Sequence, residues 1–252
     1  MRTLADRDLL QVWEKAYGLS QPRQALMLLA AAYPEMAPAA LLQLSVGQRD
    51  TRLLSLREQL FGPRLVSLAR CPICGEPLEL DFDIADIRVG DAMQNAPLLE
   101  TNSQGLWVTH WQGYDIAFRA PNSADLMALA TQSDVGHSRD ILLRRCVGEA
   151  LRAGDAIDVG GLPDEVLLHL SQQIERADPQ ASTQLALTCP ACGHRWLAPF
   201  NIARFLWAEI DDWAQRLMHH IHIIASAYGW SEADILALSS ARRQMYLDLI
   251  GA

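Results

Sequence analysis

The chain has 252 residues, half of them hydrophobic, and a formal net charge of −9. This length and apolar content suffice for a substantial core. The acidity argues against a general nucleic-acid binder, which needs a basic face against the phosphate backbone. Positive charge is almost all arginine, with Lys15 the only lysine. The N-terminus carries an early acid, Asp6, and no apolar run of signal length. No stretch reaches the ~18–20 apolar residues of a membrane span, so the chain reads as cytoplasmic and without membrane contact.

Residues 1–70 read as a helical segment. Asp6 or Asp8 can cap a first helix through Leu9, Leu10, Val12, Trp13 and Ala16, which stops at Gly18. Ser20 caps a second, running through Ala25 to Ala32 and halted near Pro34. Gly47 reads as a helix stop, followed by a helix from Arg49 to Phe61. Its stripe of Leu53, Leu54, Leu56 and Leu60 faces inward, with Arg52, Arg57 and Glu58 outward. Gly62-Pro63 breaks it.

Two C-P-x-C-G words form a pair, Cys71-Pro72-Ile73-Cys74-Gly75 and Cys189-Pro190-Ala191-Cys192-Gly193. Each is a tight turn that points two thiolates at one place, and its glycine lets the backbone turn beneath the ion. Together Cys71, Cys74, Cys189 and Cys192 supply the four ligands of one closed, structural Zn²⁺ site. About 115 residues separate the pairs, against the ~15–20 of the usual ribbon spacing. The reading is a zinc ribbon whose halves, 71–88 and 185–201, are split by an inserted α/β segment, 89–184. A redox pair and two disulfides are the alternatives. The first expects a single motif opening a helix in a βαβ unit, and the second an oxidising compartment. Cys146 reads as a small buried hydrophobe on an amphipathic helix.

After the first knuckle, Leu78 to Ile84 alternates apolar and acidic residues as a half-buried strand does, placing Glu79, Asp81 and Asp83 on its solvated face. A loop or short helix follows from Asp86 to Gln94, then a linker from Asn95 to Gly105. Segments 106–111 and 114–119 form a hairpin about Gln112-Gly113, with His110 beside the turn in a surface or structural role. Ser123 caps a helix over Asp125, Leu126, Met127, Leu129 and Ala130, and a further helix spans Ser138 to Ala153. Pro163, Asp164 and Glu165 open a helix to Ala177; Gly160-Gly161 lacks the Lys-Ser/Thr of a phosphate loop. Short strands lead into and out of the second knuckle.

Residues 202–252 read as a C-terminal helical region. A long helix from Ile202 to Tyr228 carries Trp207, Ile210, Trp213, Leu217, Ile221 and Ile224 as a stripe. Within it His219 and His222 share a face at i, i+3 while His220 diverges, and the H-E-x-x-H spacing and its glutamate are missing. No role is assigned to the three histidines. Ser231 with Asp234 caps a short helix, and another runs from Ser239 or Ser240 to Ile250. Arg242 and Arg243 are too little basic charge for a DNA-binding helix pair.

Several words resemble a known family. Phe118-Arg119-Ala120-Pro121-Asn122-Ser123-Ala124-Asp125-Leu126 resembles the F-R-x-P-t-x-x-D-L core of the T-even-phage baseplate family, and Leu142 to Val147 its continuation. Gly229-Trp230-Ser231 through Leu247 is similar to C-terminal segments of tail-assembly proteins. Ala31-Ala32-Tyr33-Pro34 and Leu44 to Asp50 are similar to zinc-knuckle variants found with phage-like contractile injection systems. The resemblance implies a structural or assembly role in a baseplate or tail, with baseplate, tube or sheath proteins as partners and incorporation in a particle. It implies no catalytic residues.

The fold class expected is α+β, mostly helical, with a split zinc ribbon and a small α/β insertion. No nucleophile, base and orienting group can be assembled, so the protein is not read as an enzyme. Trp107, Trp111, Trp207 and Trp230 are candidate interface anchors if exposed, though each singly reads as core. The alternative function is a zinc-ribbon adaptor in transcription or nucleic-acid handling; a hydrolase around His219 to His222 is a third.

Overall fold

The computed structural model describes residues 1–89, 99–129 and 135–251. In chain order, α1 (Asp6–Ala16), α2 (Gln21–Ala32), α3 (Pro38–Gln43) and α4 (Val46–Phe61) precede the hairpin β1 (Arg64–Arg70) and β2 (Pro77–Asp83). Then come α5 (Ile84–Ile87), β3 (Trp107–Trp111), β4 (Tyr114–Phe118), α6 (Ser123–Leu129), α7 (Val135–Cys146), β5 (Val147–Arg152) and β6 (Asp155–Ala156). Finally α8 (Asp164–Ala177), β7 (Gln184–Thr188) and β8 (Arg195–Pro199) lead to α9 (Ile202–Tyr228), α10 (Glu232–Leu236) and α11 (Ser240–Gly251). The fold is α+β: helices dominate, and the strands of the described residues form three antiparallel sheets, β1-β2, β3-β4-β5-β6 and β7-β8. No helix of the described residues is long and apolar enough to cross a membrane.

Two compact units result. One joins Met1–Pro34 to Ala203–Ala252, and the other is Glu35–Ile202. In the first, Leu10 of α1 packs with Ala214, Leu217, Ile221 and Ile224 of α9 and Ile235 of α10. The apolar stripe read along α9 is what builds this core. Trp13 donates its indole N–H to Asp211 at 2.8 Å. Arg243 is buried, donates to the Leu238 carbonyl at 2.7 Å and pairs with Asp6. Asp6 and Asp8 stand in the first turn of α1 rather than capping it, since Ala5 holds the cap position. Ser20 occupies its cap position without a side-chain bond. Ser231 and Asp234 form the capping box expected.

In the second unit, the sheet β3-β4-β5-β6 packs against α7 and α8. Tyr114, Ile116 and Phe118 of β4 meet Leu143 and Cys146 of α7, and Val166, Leu167, Leu170 and Ile174 of α8. The hairpin turns at Gln112 and Gly113, both left-handed at φ 48° and 79°, the geometry that matches strand twist. Trp107 and Trp111 pack against this core, and Trp111 stacks on His169 at 5.2 Å. His110 Nδ1 is hydrogen-bonded to the Asp115 carboxylate at the surface, 2.6 Å away.

Four local readings need correction. The helix expected from Ser138 to Ala153 ends at Cys146, and Val147–Arg152 is a strand paired with β4. Arg64–Arg70 forms a strand where none was expected, pairing with β2 from Arg64↔Asp83 to Arg70↔Pro77. Gly47 does not stop a helix but lies in the first turn of α4, whose cap is Ser45 in a box with Gln48. Arg57, expected outside, is 3 % exposed and donates to the Gly62 carbonyl at 2.6 Å. The expected loop Asp86–Gln94 opens as α5, but its remainder from residue 90, the linker from Asn95 to residue 98, and Ala130 lie outside the described residues.

The buried side chain of Gln180 ties the chain as it leaves α5 to the turn before β7. Its Oε1 accepts from the Val89 N–H at 2.8 Å, while its Nε2 donates to the Ile87 carbonyl at 3.1 Å.

Candidate metal centre

The two knuckles are built alike. In each, the first cysteine's N–H donates to a carbonyl five residues on: Cys71 to Glu76 at 3.0 Å and Cys189 to His194 at 2.8 Å. The glycine then donates back to that cysteine's carbonyl, Gly75 to Cys71 at 2.9 Å and Gly193 to Cys189 at 3.0 Å. Both glycines are left-handed, at φ +74° and +71°, a conformation that favours glycine. The flanking strands share one register too, closing at Arg70↔Pro77 and Thr188↔Arg195.

These equivalent turns bring Cys71, Cys74, Cys189 and Cys192 together, with every sulfur within 4.8 Å of the others. Cys71 Sγ lies 3.7 Å from Cys192 Sγ, and Cys74 Sγ 3.5 Å from Cys189 Sγ. A disulfide requires ~2.05 Å, so these are four free thiols. Tetrahedral coordination with metal–sulfur bonds of ~2.3 Å spaces sulfurs by ~3.8 Å, close to what is found. One thiol of each knuckle, Cys71 and Cys189, is buried against Leu78, with Leu80 and Trp196 packed on it; Cys74 and Cys192 face outward.

The protonation of the cluster points the same way. Burial works against a Cys71 thiolate, but N–H groups of Cys74 and Ile73 and the adjoining thiols outweigh it and bring its pKa to about 7. At Cys74 the Glu76 N–H favours the thiolate, yet the neighbouring Cys189 sulfur and burial push it up to about 12. Cys192 is also raised. Crowded thiolates repel one another, and a divalent cation is what lets all four ionise. The cluster could therefore hold one metal ion, with four protein sulfurs and no vacant position for a substrate.

The other sequence candidates do not join it. Cys146 is buried at the end of α7, where burial raises its thiol to about 12, as suits an inert core residue. His219 and His222 are exposed on α9, and no other group of three or more ligand-type residues converges among the described ones. His220 has its pKa lowered by burial and by the charges of His219, Arg243 and Arg216. None of Trp107, Trp111, Trp207 and Trp230 is fully exposed. Trp230 is stacked on Tyr228 at 5.0 Å and meets Tyr246 edge-on at 4.9 Å.

Residue-by-residue reading missed how the motif words meet one another. Asp125, 1 % exposed, accepts from both terminal guanidinium nitrogens of Arg119, at 2.6 and 3.0 Å, and from Arg145 at 3.0 Å. Burial opposes its charge, but Arg119, the Asn122 N–H and Arg145 prevail and hold its pKa below the ordinary value. Asn122, not Ser123, caps α6: its Oδ1 accepts from the Asp125 N–H at 3.1 Å. Among the described residues the buried Ser123 hydroxyl has no hydrogen-bond partner. Pro121 accepts from the Val46 N–H at 2.9 Å, and Asn122 bridges to Ser45. The F-R-x-P, R-C-V and L-S-V-G words thus form one clamp. An aspartate and two arginines spaced six and twenty residues away were the signal available for it.

The family model described as T4 bacteriophage base plate protein matches residues 24–207, more than half of the chain and inclusive of both knuckles and this clamp. No curated protein and no solved structure gives a significant match.

Proposed function

Because the chain belongs to the T4 bacteriophage base plate protein family, we propose that it is a structural or assembly component of the baseplate or tail of a phage-like contractile injection system. It works by protein–protein contact, without catalysis. Its partners are baseplate, tube or sheath proteins, and it ends up in, or at least passes through, the assembled particle. Cys71, Cys74, Cys189 and Cys192 hold one structural Zn²⁺ in this reading. The observation that carries it is the family match across 24–207; the closed four-sulfur cluster supports a structural metal rather than a catalytic one. Zinc there would clip together two hairpins distant in the chain, which then fold as a unit with the metal.

The test is a tagged purification from the native host, with co-purifying proteins identified in lysate and in finished particles, alongside metal analysis of the purified chain. Sheath, tube or baseplate proteins in finished particles make it a structural component. The same proteins only in lysate make it an assembly factor. Their absence from both overturns the particle reading, and a metal content well below one zinc per chain overturns the metal assignment.

A further inference from the structure

A groove of about 730 Å³ runs between β2 and β7, lined on one side by the consecutive residues Glu79 to Phe82 and on the other by Gln184 to Leu187. Successive strand residues point to opposite faces, so a groove that touches all of them is meeting strand edges rather than faces. Neither β2 nor β7 has a second strand neighbour among the described residues.

The ladder pattern sets which edge groups point away from the hairpin partner. In the first hairpin the Ile84 N–H donates to Pro63 and the Cys71 N–H to Glu76, each at 3.0 Å. Bonded pairs therefore fall on Leu78, Leu80 and Phe82, and the N–H and C=O of Glu79 and Asp81 point away from β1. In the second hairpin the Phe200 N–H donates to Thr183 and the Cys189 N–H to His194, at 2.9 and 2.8 Å. There Leu185 and Leu187 bond across to β8, which turns Gln184 and Ala186 outward. The Asp83 N–H, next in the outward series, is already taken by the Asp86 carboxylate at 2.9 Å.

We propose that this groove receives an extended segment of another protein by strand addition to these edges. The chemistry of the segment follows from the walls. Leu80, Phe82, Leu185 and Leu187 offer apolar contacts to every second side chain. Glu79 offers a carboxylate to one of the intervening ones, while both oxygens of Asp81 accept from Arg64. The segment alternates apolar and polar residues, with a basic one set opposite Glu79. Main-chain bonds to Gln184 and Ala186 supply affinity, and the alternating side chains supply register.

The test uses the full metal-loaded chain and a short synthetic peptide alternating leucine and arginine, with binding read by calorimetry. A second peptide of the same sequence carries N-methyl groups on alternate amides, which keeps charge and deletes edge bonds. The parent peptide binds, and N-methylation weakens it at least about tenfold. Ala186→Pro removes an edge N–H that the β7-β8 ladder does not use, and weakens the parent peptide comparably with metal content unchanged. Absence of binding by the parent peptide overturns the proposal. So does equal binding by the N-methylated peptide, which reveals charge attraction alone. Self-association of the wild-type chain that Ala186→Pro abolishes overturns it in favour of a second copy as occupant.

Discussion

Asp178 accepts the Gly47 N–H at 2.8 Å, and a Cβ added to Gly47 would sit 2.1 Å from Asp178 Oδ1. The glycine is present because a buried carboxylate needs its amide at contact distance. Gly47→Ala displaces Asp178 and lowers stability by about 2–3 kcal/mol. Urea denaturation checks this. In an Asp178→Ala background the same substitution costs much less, because the clash has gone.

Asp125 neutralises two arginines at once. Asp125→Asn leaves Arg119 and Arg145 short of their counter-charge and costs about 2–3 kcal/mol, below the ~3–5 of fully buried pairs because both arginines are partly exposed. Its folded pKa is depressed, so its contribution is present above the unfolded pKa and fades as pH falls through the folded one. The stability difference between wild type and variant, followed by denaturation at stepped pH, shrinks below about pH 4.

Asp50 carries the opposite sign. Burial outweighs the adjacent Arg49 and raises its pKa from 3.8 to about 6. Between those values the folded chain binds more protons than the unfolded one, so Asp50 lowers stability as pH rises through this window, and its cost is complete above about 6. Asp50→Asn removes that slope, whatever it does to the absolute level. Denaturation midpoints of wild type and variant between pH 4 and 7 check this, and parallel curves would refute it.

Cysteine variants separate the cluster from the core. Cys71→Ser and Cys189→Ser, at buried sulfurs of the cluster, lose bound metal and lower the unfolding midpoint. Cys146→Ser leaves metal stoichiometry as it was, because its sulfur lies in the core beside Leu143 and Phe118. Chelation lowers the midpoint of the wild type toward that of Cys71→Ser, since metal binding is folding free energy in such sites. Elemental analysis with thermal denaturation reads both.

Elements with strong local signals formed where the signals stood: alternation through Leu78–Asp83, the Gln112-Gly113 turn, and the stripe along α9. The convergence of the four cysteines was legible because both turns carry the same word. Val147–Arg152 was not legible. Glu149, Ala150, Leu151 and Arg152 favour helix intrinsically, and the edge of β4, more than thirty residues back in the chain, together with the short β6 makes them a strand. Gly47 was misread for a related reason: a glycine before a helical run looks like punctuation, and its reason for being there is a carboxylate 131 residues away. Arg119, Asp125 and Arg145 were visible as family words but not as one ion-paired cluster.

Gln180 gives the ribbon a mechanical property. The chain leaves the first hairpin at Ile87–Val89 and returns to the second just past Gln180, and that single amide side chain bonds both crossings. Tension drawing the intervening segment outward is therefore carried by these two hydrogen bonds as well as by the four-cysteine junction.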